Sequence, residues 1–312
     1  MAKTGKKGLK AALSSQQSRL KAKDKATQAA KVREKPSQPG LSAKAKGKIK
    51  LVPKPSTMPF NTSDKILLIG EGNFSFATAL FKHPSLEFLP PRNVTATAYD
   101  SEKECYEKYP EAGAIVKDLK EKGVEIVFGV DATRLEKCKA LKGRKFDRVV
   151  WNFPHAGKGI TDQDRNILSN QMLLLDFFRS VSGYLTDGPV PAVHKKKVKR
   201  TSQSDDEEDA QGSDVEDEGQ ESSQLGRGRA ACRGTVLVTL RNVPPYTEWN
   251  LPKLAKHPPP PNPPYTVLRS FAFQRSDWEG YEHAMTKGER AHGTGRTGLG
   301  GEDRTWEFCL KD

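Results

Sequence analysis

The chain has 312 residues, of which 35% are hydrophobic, and it carries a formal net charge of +13. Its mean hydropathy of −0.70 is low for a fully globular protein, so we expect part of the chain to be disordered. We find no apolar run of about 18 residues that would cross a membrane and no apolar N-terminal segment that would act as a secretory signal. The four cysteines are far apart, which argues against a zinc site or a disulfide framework and fits a reducing compartment.

The positive charge is concentrated at the N-terminus. Residues 1–60 carry 16 Lys or Arg residues against two acids, whereas the rest of the chain sums to a net charge of −1. Because this segment has few large apolar side chains, we predict a disordered basic tail over residues 1–60. Such a tail attracts polyanions and is typical of nuclear or nucleolar proteins. A solvated tail without a specific partner would have the same composition.

Strands and helices alternate regularly from Ser63 onward. The aliphatic run Ile66–Ile69 reads as a strand that enters a Gly-x-Gly turn, and the helix that follows is predicted over 74–81. Further strands are predicted at 93–99, 124–130 and 146–151, with helical segments at 102–122 and 133–141 between them. This order predicts a parallel sheet with right-handed crossovers.

The longest predicted helix covers residues 161–184, with a cap at Thr161 or Asp162. A shift in composition follows it: a basic cluster, Lys195–Arg200, and then ten acids between Asp205 and Glu221. We therefore predict a disordered basic and acidic insertion over residues 194–230, whose basic cluster is typical of a nuclear-import signal. Three more strands, at 234–240, 265–273 and 305–310, complete a predicted domain over residues 61–312.

Polar and turn residues follow the first three predicted strands. They are Gly70, Glu71, Gly72 and Asn73 after the first strand, Asp100 after the second and Asp131 after the third. Because the carboxyl ends of parallel strands lie along one edge of a sheet, we expect these residues to converge. Asp100 can accept hydrogen bonds from ribose hydroxyls, and Asp131 with Ala132 is placed for the edge of an adenine. The pattern therefore predicts a cofactor that contains adenosine.

The fourth predicted strand ends in Asn152-Phe153-Pro154-His155. This resembles the Asn/Asp-Pro-Pro-Tyr element with which base N-methyltransferases hold a planar nitrogen near the methyl donor. The aromatic ring can stack on a base, and the Asn carbonyl can hold an N–H. A nicotinamide enzyme fits less well, because Ser75 stands where the third glycine of Gly-x-Gly-x-x-Gly would be.

These motifs together resemble a known family, the Rossmann-like domain of the large-subunit rRNA (uridine-N3) methyltransferases. The resemblance covers residues 64–312 apart from the insertion, and its motifs are Ile66–Phe76, Thr97–Asp100, Phe146-Asp147 with Asn152–His155, and Pro244–Tyr246 with Trp249. It implies an α/β fold: a Rossmann-like, seven-stranded class I methyltransferase sheet with helices on both faces, beside the disordered tail and insertion.

The resemblance also implies a function, namely S-adenosylmethionine-dependent methylation of N3 of a uridine in large-subunit rRNA during ribosome biogenesis. The implied partners are rRNA and the pre-60S particle in the nucleolus of the nucleus, and we expect a monomer with no metal and no membrane association. The implied site residues are Gly70, Glu71, Gly72, Asn73, Asp100 and Asp131 for the cofactor, Asn152, Phe153, Pro154 and His155 for catalysis at the target base, and Tyr246 and Trp249 for the RNA.

The methyl donor of such an enzyme is already activated as a sulfonium, so the enzyme chiefly aligns an in-line attack. His155 is a candidate general base by its location, and a hydrogen-bonded structural histidine is the alternative. Tyr246 and Trp249 either stack on the base or pack the loop. The element Trp278–Met285 departs from the family pattern, because two arginines that usually follow its histidine are absent.

Two other functions stay open at this point. One is a catalytically silent, RNA-binding ribosome-assembly factor that docks through the basic tail. The other is a methyltransferase that acts on tRNA or another RNA.

Overall fold

The structure is a computed structural model that describes residues 57–191, 232–284 and 301–312. Its strands are β1 (Ile66–Ile69), β2 (Val94–Thr97), β3 (Glu125–Val127), β4 (Arg148–Asn152), β5 (Thr235–Arg241), β6 (Tyr265–Ala272) and β7 (Asp303–Leu310). Its α-helices are α1 (Ser75–Lys82), α2 (Glu102–Lys108), α3 (Ala112–Lys122), α4 (Gln163–Val181) and α5 (Leu251–Lys256). Short 3₁₀ helices occupy Pro84–Leu86, Pro91–Asn93, Ala132–Lys137, Lys139–Leu141, Ser182–Tyr184, Tyr246–Trp249 and Arg275–Asp277.

The strands form one seven-stranded sheet in the order β3-β2-β1-β4-β5-β7-β6. Pairing is parallel from β3 to β5, and β1 lies between β2 and β4. β7 runs antiparallel between β5 and β6. The predicted Rossmann-like class I methyltransferase sheet is confirmed, and its parallel strands place their carboxyl ends along one edge.

Helices cover both faces of this sheet. Successive residues of a strand point to opposite faces, and the strands carry apolar side chains on both. In β1, Ile66 and Leu68 belong to the core that α1 and α3 complete, whereas Leu67 and Ile69 belong to the core that α4 and α5 complete. All four side chains are at most 2% exposed. This two-sided burial is the reason that β1 is a continuous aliphatic run, and it confirms the prediction of helices on both faces.

Two predicted helical segments differ from the structure in detail. Residues 102–122 form two helices, α2 and α3, because Pro110 interrupts the segment. The predicted helix at 133–141 is instead a pair of 3₁₀ helices, and Arg134 within it has a φ of −146° and a ψ of 50°. No regular helix accommodates those angles.

The predicted tail over residues 1–60 and the predicted insertion over residues 194–230 lie almost wholly outside the described residues, and both stay predictions. At the edge of the tail, Phe60 is 5% exposed, and its ring meets Trp278 edge to face at 5.9 Å. The packed core therefore begins before residue 61, where we predicted the domain boundary. In the part of the chain that the structure describes, no helix is long and apolar enough to cross a membrane.

A buried carboxylate ties the antiparallel end of the sheet together. Glu307 of β7 is 3% exposed, and its Oε1 accepts a hydrogen bond from the hydroxyl of Thr235 in β5 at 2.9 Å. Its Oε2 accepts one from Nε of Arg269 in β6 at 2.7 Å. The charge of Glu307 is thus compensated by Arg269 from the edge strand.

Removal of that partner tests the importance of this pair. Arg269→Ala leaves the Glu307 carboxylate buried without its cation, so we expect a loss of about 3 kcal/mol in the free energy of unfolding, measured by urea denaturation. Arg179→Ala, which removes an exposed pair with Asp176, is the control, with an expected change below about 1 kcal/mol. Equal losses in both variants would contradict this role of Arg269.

Candidate active site

A cavity of about 480 Å³ lies at the carboxyl edge of the sheet, where β1 to β4 end. All ten residues predicted for the cofactor or the target base line it, namely Gly70, Glu71, Gly72, Asn73, Asp100, Asp131, Asn152, Phe153, Pro154 and His155. The two residues predicted to contact RNA, Tyr246 and Trp249, are not among its lining residues. The structure thus brings the predicted cofactor half and target half of the site into one space.

The turn after β1 packs its backbone closely against the cavity lining. Gly70 has a φ of +64°, a left-handed conformation that favours glycine, and a Cβ at this position would lie 2.9 Å from Nε1 of Trp151. A Cβ on Gly72 would lie 3.0 Å from the Cβ of Ala284. Larger residues at these positions would have to displace neighbours that themselves line the cavity.

The side chain of Asn73 holds this turn. Its Oδ1 accepts a hydrogen bond from the backbone N–H of Ser75 at 3.1 Å, and its Nδ2 donates to Oε1 of Glu111 at 2.9 Å. Asn73 is 4% exposed. Both ends of its amide are therefore used within the protein, so Asn73 contributes to the cavity through the shape of the turn.

Glu71 lies at the N-terminus of α1, where its carboxylate accepts a hydrogen bond from the backbone N–H of Ala77 at 3.2 Å. Burial raises the pKa of Glu71 to about 7, and the hydrogen bonds from the backbone N–H groups of Ala77 and Phe76 offset this only in part. A cation in the cavity would favour the charged form of Glu71 and would be favoured by it in turn.

Asp100 and Asp131 each use one carboxylate oxygen within the protein. Oδ1 of Asp100 accepts a hydrogen bond from Nζ of Lys108 at 2.5 Å. Oδ1 of Asp131 accepts bonds from the backbone N–H and the hydroxyl of Thr133, at 2.9 and 2.7 Å. In both residues Oδ2 accepts no hydrogen bond from the described part of the chain. Each carboxylate therefore retains one acceptor for a ligand.

Asn152, the last residue of β4, uses its amide oxygen in a hydrogen bond within the protein. Its Oδ1 accepts a hydrogen bond from the hydroxyl of Thr239 at 2.8 Å, and that hydroxyl is also 2.8 Å from the hydroxyl of Thr305. Its Nδ2 is buried and has no hydrogen-bond partner among the described residues. The prediction that the Asn152 carbonyl holds an N–H of the target stays a prediction, because an amide oxygen that accepts one hydrogen bond has a second lone pair. The Nδ2 donor is also available to a ligand, and a buried donor is stabilised when it finds an acceptor.

Phe153 packs against neighbouring side chains after β4, whereas His155 is exposed to solvent. Phe153 has a φ of 53°, and its ring lies 4.5 Å from the imidazole of His283 and 5.0 Å from the guanidinium of Arg275. His155 is exposed, and its Nδ1 accepts a hydrogen bond from the backbone N–H of Gly157 at 2.9 Å. Because this bond uses the lone pair of Nδ1, the neutral imidazole carries its proton on Nε2. Both roles considered for His155, general base and hydrogen-bonded structural histidine, stay predictions.

Trp249 belongs to the core rather than to an open RNA-binding surface. It is 1% exposed, because the 3₁₀ helix Tyr246–Trp249 turns the indole into the core that α4 and α5 cover. Its ring lies 5.0 Å from that of Tyr246 and 6.0 Å from that of His155. This burial favours the packing alternative for Trp249, whereas contact of Tyr246 with RNA stays a prediction.

The segment 281–284 also lines the cavity, although sequence analysis gave it no role at the site. The hydroxyl of Ser75 accepts a hydrogen bond from the N–H of Glu282 at 3.1 Å and donates one to its carbonyl oxygen at 2.9 Å, which ties the segment to the first turn. Burial and nearby arginines lower the pKa of His283 to about 4, so its imidazole is uncharged at neutral pH. The signal for this residue in the sequence is its place in the element Trp278–Met285, which was compared with the family pattern.

Comparison with known proteins identifies the family. The family described as rRNA (uridine-N3-)-methyltransferase BTM5-like matches residues 67–285, more than half of the chain. The chain belongs to this family. The matched range begins within β1 and extends past the segment 281–284, so it includes every lining residue of the cavity. The resemblance inferred from the sequence is confirmed, and with it an rRNA uridine-N3 methyltransferase as the class of enzyme.

Several proteins are similar to all or part of this chain. The 25S rRNA (uridine(2634)-N(3))-methyltransferase of Saccharomyces cerevisiae is 28% identical over 92% of this chain and 86% of that protein. Heavy metal-associated isoprenylated plant protein 41 of Arabidopsis thaliana is 28% identical over 80% of this chain, which spans 38% of that protein. The mouse homolog of ferredoxin-fold anticodon-binding domain-containing protein 1 is 39% identical over 39% of this chain and 18% of that protein.

Among solved structures, the 16S rRNA methyltransferase KamB aligns over 79% of this chain and 87% of that chain, at 16% identity and a TM-score of 0.34. The fold of this uridine-N3 methyltransferase is assigned here from its own strand order and register.

Glu71 gives a pH-dependent test of the site of this uridine-N3 methyltransferase. Because its pKa is raised from 4.5 to about 7 in the folded protein, its protonation stabilises the fold below its unfolded pKa, and that contribution is lost as the pH rises through about 7. Glu71→Gln keeps an acceptor for the N–H of Ala77 without the buried charge. We therefore expect the unliganded variant to melt about 2 °C or more above the wild type at pH 8, and closer to it at pH 5.

The measurement is scanning calorimetry at both pH values. The control is Glu107→Gln on the exposed surface of α2, which should show no such pH dependence. A Glu71→Gln shift of the same size at pH 5 and pH 8 would contradict the raised pKa.

Proposed function

We propose that this protein transfers a methyl group from S-adenosylmethionine to N3 of a uridine in large-subunit rRNA. The observation that carries the proposal is the convergence of the Gly70–Gly72 turn, Asp100, Asp131 and Asn152–His155 on one cavity. These residues come from distant parts of the sequence. Because β1 pairs in parallel with β4, the turn Gly70–Gly72 lies beside the segment Asn152–His155. Membership of the family supports the reaction, and the roles of individual residues belong to the proposal.

The residues of the cavity fit S-adenosylmethionine. Asp100 retains an oxygen that can accept from ribose hydroxyls, and Asp131 retains one that can accept from an adenine amino group. The Gly70–Gly72 turn permits close approach of a ligand to the backbone. Glu71, whose pKa burial has raised, would become charged again beside a cationic ligand. When bound, the cofactor supplies a methyl group activated on a positively charged sulfur.

Asn152 is proposed to set the chemistry at the target. N3 of uracil lies between two carbonyl groups, and transfer of the N3 proton to water leaves negative charge on their oxygens. Nδ2 of Asn152, which lacks a partner among the described residues, can donate to one of these oxygens, stabilise the charge and lower the pKa of N3. The bond from Thr239 to Oδ1 holds the amide in this orientation. The donor suits an imide substrate, because carbonyl oxygens flank N3 on both sides.

Phe153 and His283 are proposed to form the wall of the target pocket. Their rings lie 4.5 Å apart and both line the cavity. With its pKa lowered to about 4, His283 presents an uncharged imidazole to the base at neutral pH. A wall of two uncharged rings is suited to excluding water from the target base.

The substrate and the cellular location are proposed on separate grounds. The yeast relative, which aligns with most of this chain, is named for methylation of 25S rRNA, and the basic tail suits a polyanionic particle. We therefore propose the nucleolus as location and the pre-60S particle as partner. A monomeric state stays a prediction.

A substitution that removes only the donor tests the proposed function. Asn152→Asp keeps an acceptor for Thr239 and loses the Nδ2 donor, so we expect kcat for 3-methyluridine formation to fall about 100-fold while affinity for S-adenosylmethionine is unchanged. The assay is mass spectrometry of nucleosides from unmodified large-subunit rRNA, with calorimetry for the cofactor. The matched control is Asn93→Asp, which makes the same change next to the N-terminal end of β2, away from the cavity. It should leave kcat unchanged.

Other outcomes of this assay separate the alternatives. RNA binding without methyl transfer by the wild-type protein would support the silent assembly factor, and a methylated base formed only in tRNA would support the other RNA substrate. Full activity of Asn152→Asp would refute the assigned role of the amide.

A further inference from the structure

A second concave surface lies beside the active-site cavity. It has a volume of about 980 Å³ and is lined by the segment between β3 and β4 together with the C-terminal end of α4. Seven of its lining residues are Lys or Arg, and one is an acid, Glu136. We call this surface the basic groove. Its charge is unusual for a domain whose residues outside the tail sum to about −1.

Four cations of the basic groove are available to a ligand. Arg134, Lys137, Lys139 and Lys142 are all exposed, and none forms an ion pair with the residues that the structure describes. Exposed cations that share a concave surface raise the local potential, because their fields add and no paired acid cancels them.

The other three cations of the groove are already paired. Arg144 pairs with Glu125, Lys145 with Asp187, and Arg179 with Asp176. Elsewhere on the domain, Lys103, Lys117 and Lys122 of α2 and α3 each pair with an acid four residues away, whereas Lys253 and Lys256 are exposed and form no ion pair with the described residues. What distinguishes the groove is that four such cations share one concave surface.

The groove is held by packing rather than by its charges. Leu135 and Leu141 are fully buried, and the backbone N–H of Leu135 donates to the hydroxyl of Ser180 on α4 at 2.8 Å. These anchors fix the two 3₁₀ helices that carry the exposed lysines. A surface fixed in this way loses little conformational entropy when it binds a ligand.

The basic groove adjoins the active site. Thr133 lines both the cavity and the groove, and it accompanies Asp131 on the cavity side and Arg134 on the groove side. The rim lies on the side of Asp131, where the adenine of the cofactor is proposed to bind, so an RNA with its target base near Asn152 reaches the groove by passing outside the cofactor. A polyanion long enough to do so, rather than a small anion, matches a groove of this volume.

We infer that the basic groove binds the phosphate backbone of the rRNA that flanks the target uridine. The inference rests on the proposed function, because it places the RNA relative to the proposed site. Phosphate contacts of this kind fix position and register without reading sequence. The groove thereby contributes to KM for RNA, and the cavity contributes to the choice of base.

The test compares two full-length triple variants with the same change of net charge. Lys137→Gln, Lys139→Gln and Lys142→Gln remove charges from the groove, and Lys103→Gln, Lys117→Gln and Lys122→Gln remove paired charges elsewhere. The probe is unmodified large-subunit rRNA, with binding measured over a series of KCl concentrations. The basic tail is present in all the proteins, so differences between the variants report on the groove.

We expect the groove variant to lose about two to three units of the slope of log Kd against log salt, and to bind rRNA at least about tenfold more weakly at 0.1 M salt. KM for rRNA should rise accordingly, while kcat and the affinity for S-adenosylmethionine stay at wild-type values. The control variant should match the wild type in slope and KM. Thermal melting confirms that both variants fold.

Two outcomes overturn the inference. One is a groove variant with the salt slope and KM of the control. The other is unchanged RNA binding together with a loss of binding to polyglutamate, which would assign the groove to an acidic protein. If the wild-type protein binds rRNA through the groove but methylates no uridine, the proposed function fails and the inference about the surface survives.

Discussion

The site depends on the parallel pairing of β1 with both β2 and β4. Because β1 lies in the middle of the parallel strands, the chain leaves it in one direction along the sheet and later returns to its other side. The turns that follow β1 and β4 then lie next to each other at the same edge, where open α/β sheets bind their ligands. Full burial of β1 on both faces fixes this register, since a one-residue slip would exchange its two faces.

Several consequences follow from that arrangement. The close contact of Gly70 with Trp151 joins the first turn to β4. The proposed cofactor-binding turn after β1 and the proposed target-binding residues after β4 are therefore in direct contact. Asn152 lies at the end of β4 but takes its orientation from Thr239 on β5 and, through it, from Thr305 on β7. The antiparallel end of the sheet is therefore part of the active site's support. The segment 281–284 lines the same cavity, and the hydrogen bonds between Ser75 and Glu282 hold it there.

The elements that sequence analysis predicted well are those with a local physical cause. Sequence patterns of a few residues were enough to predict the strand Ile66–Ile69, the glycine turn and the acids at strand ends. Burial and backbone geometry act over that same short range. The orientation of Asn152 could not be predicted, because it is set by hydroxyl groups more than 80 residues away. His283 and the burial of Trp249 depend on tertiary packing in the same way. The basic groove could not be predicted, because the net charge of a sequence does not show which cations lie together or which of them pair with acids.

The central claim is that the converging strand ends form a methyl-donor site that acts on N3 of a uridine. The most direct measurement is mass spectrometry of rRNA nucleosides from cells that lack this protein, complemented with the wild type or with Asp100→Ala. We predict that 3-methyluridine disappears from large-subunit rRNA without the protein, returns with the wild type and stays absent or strongly reduced with Asp100→Ala. An unchanged level of 3-methyluridine in cells that lack the protein would contradict this account.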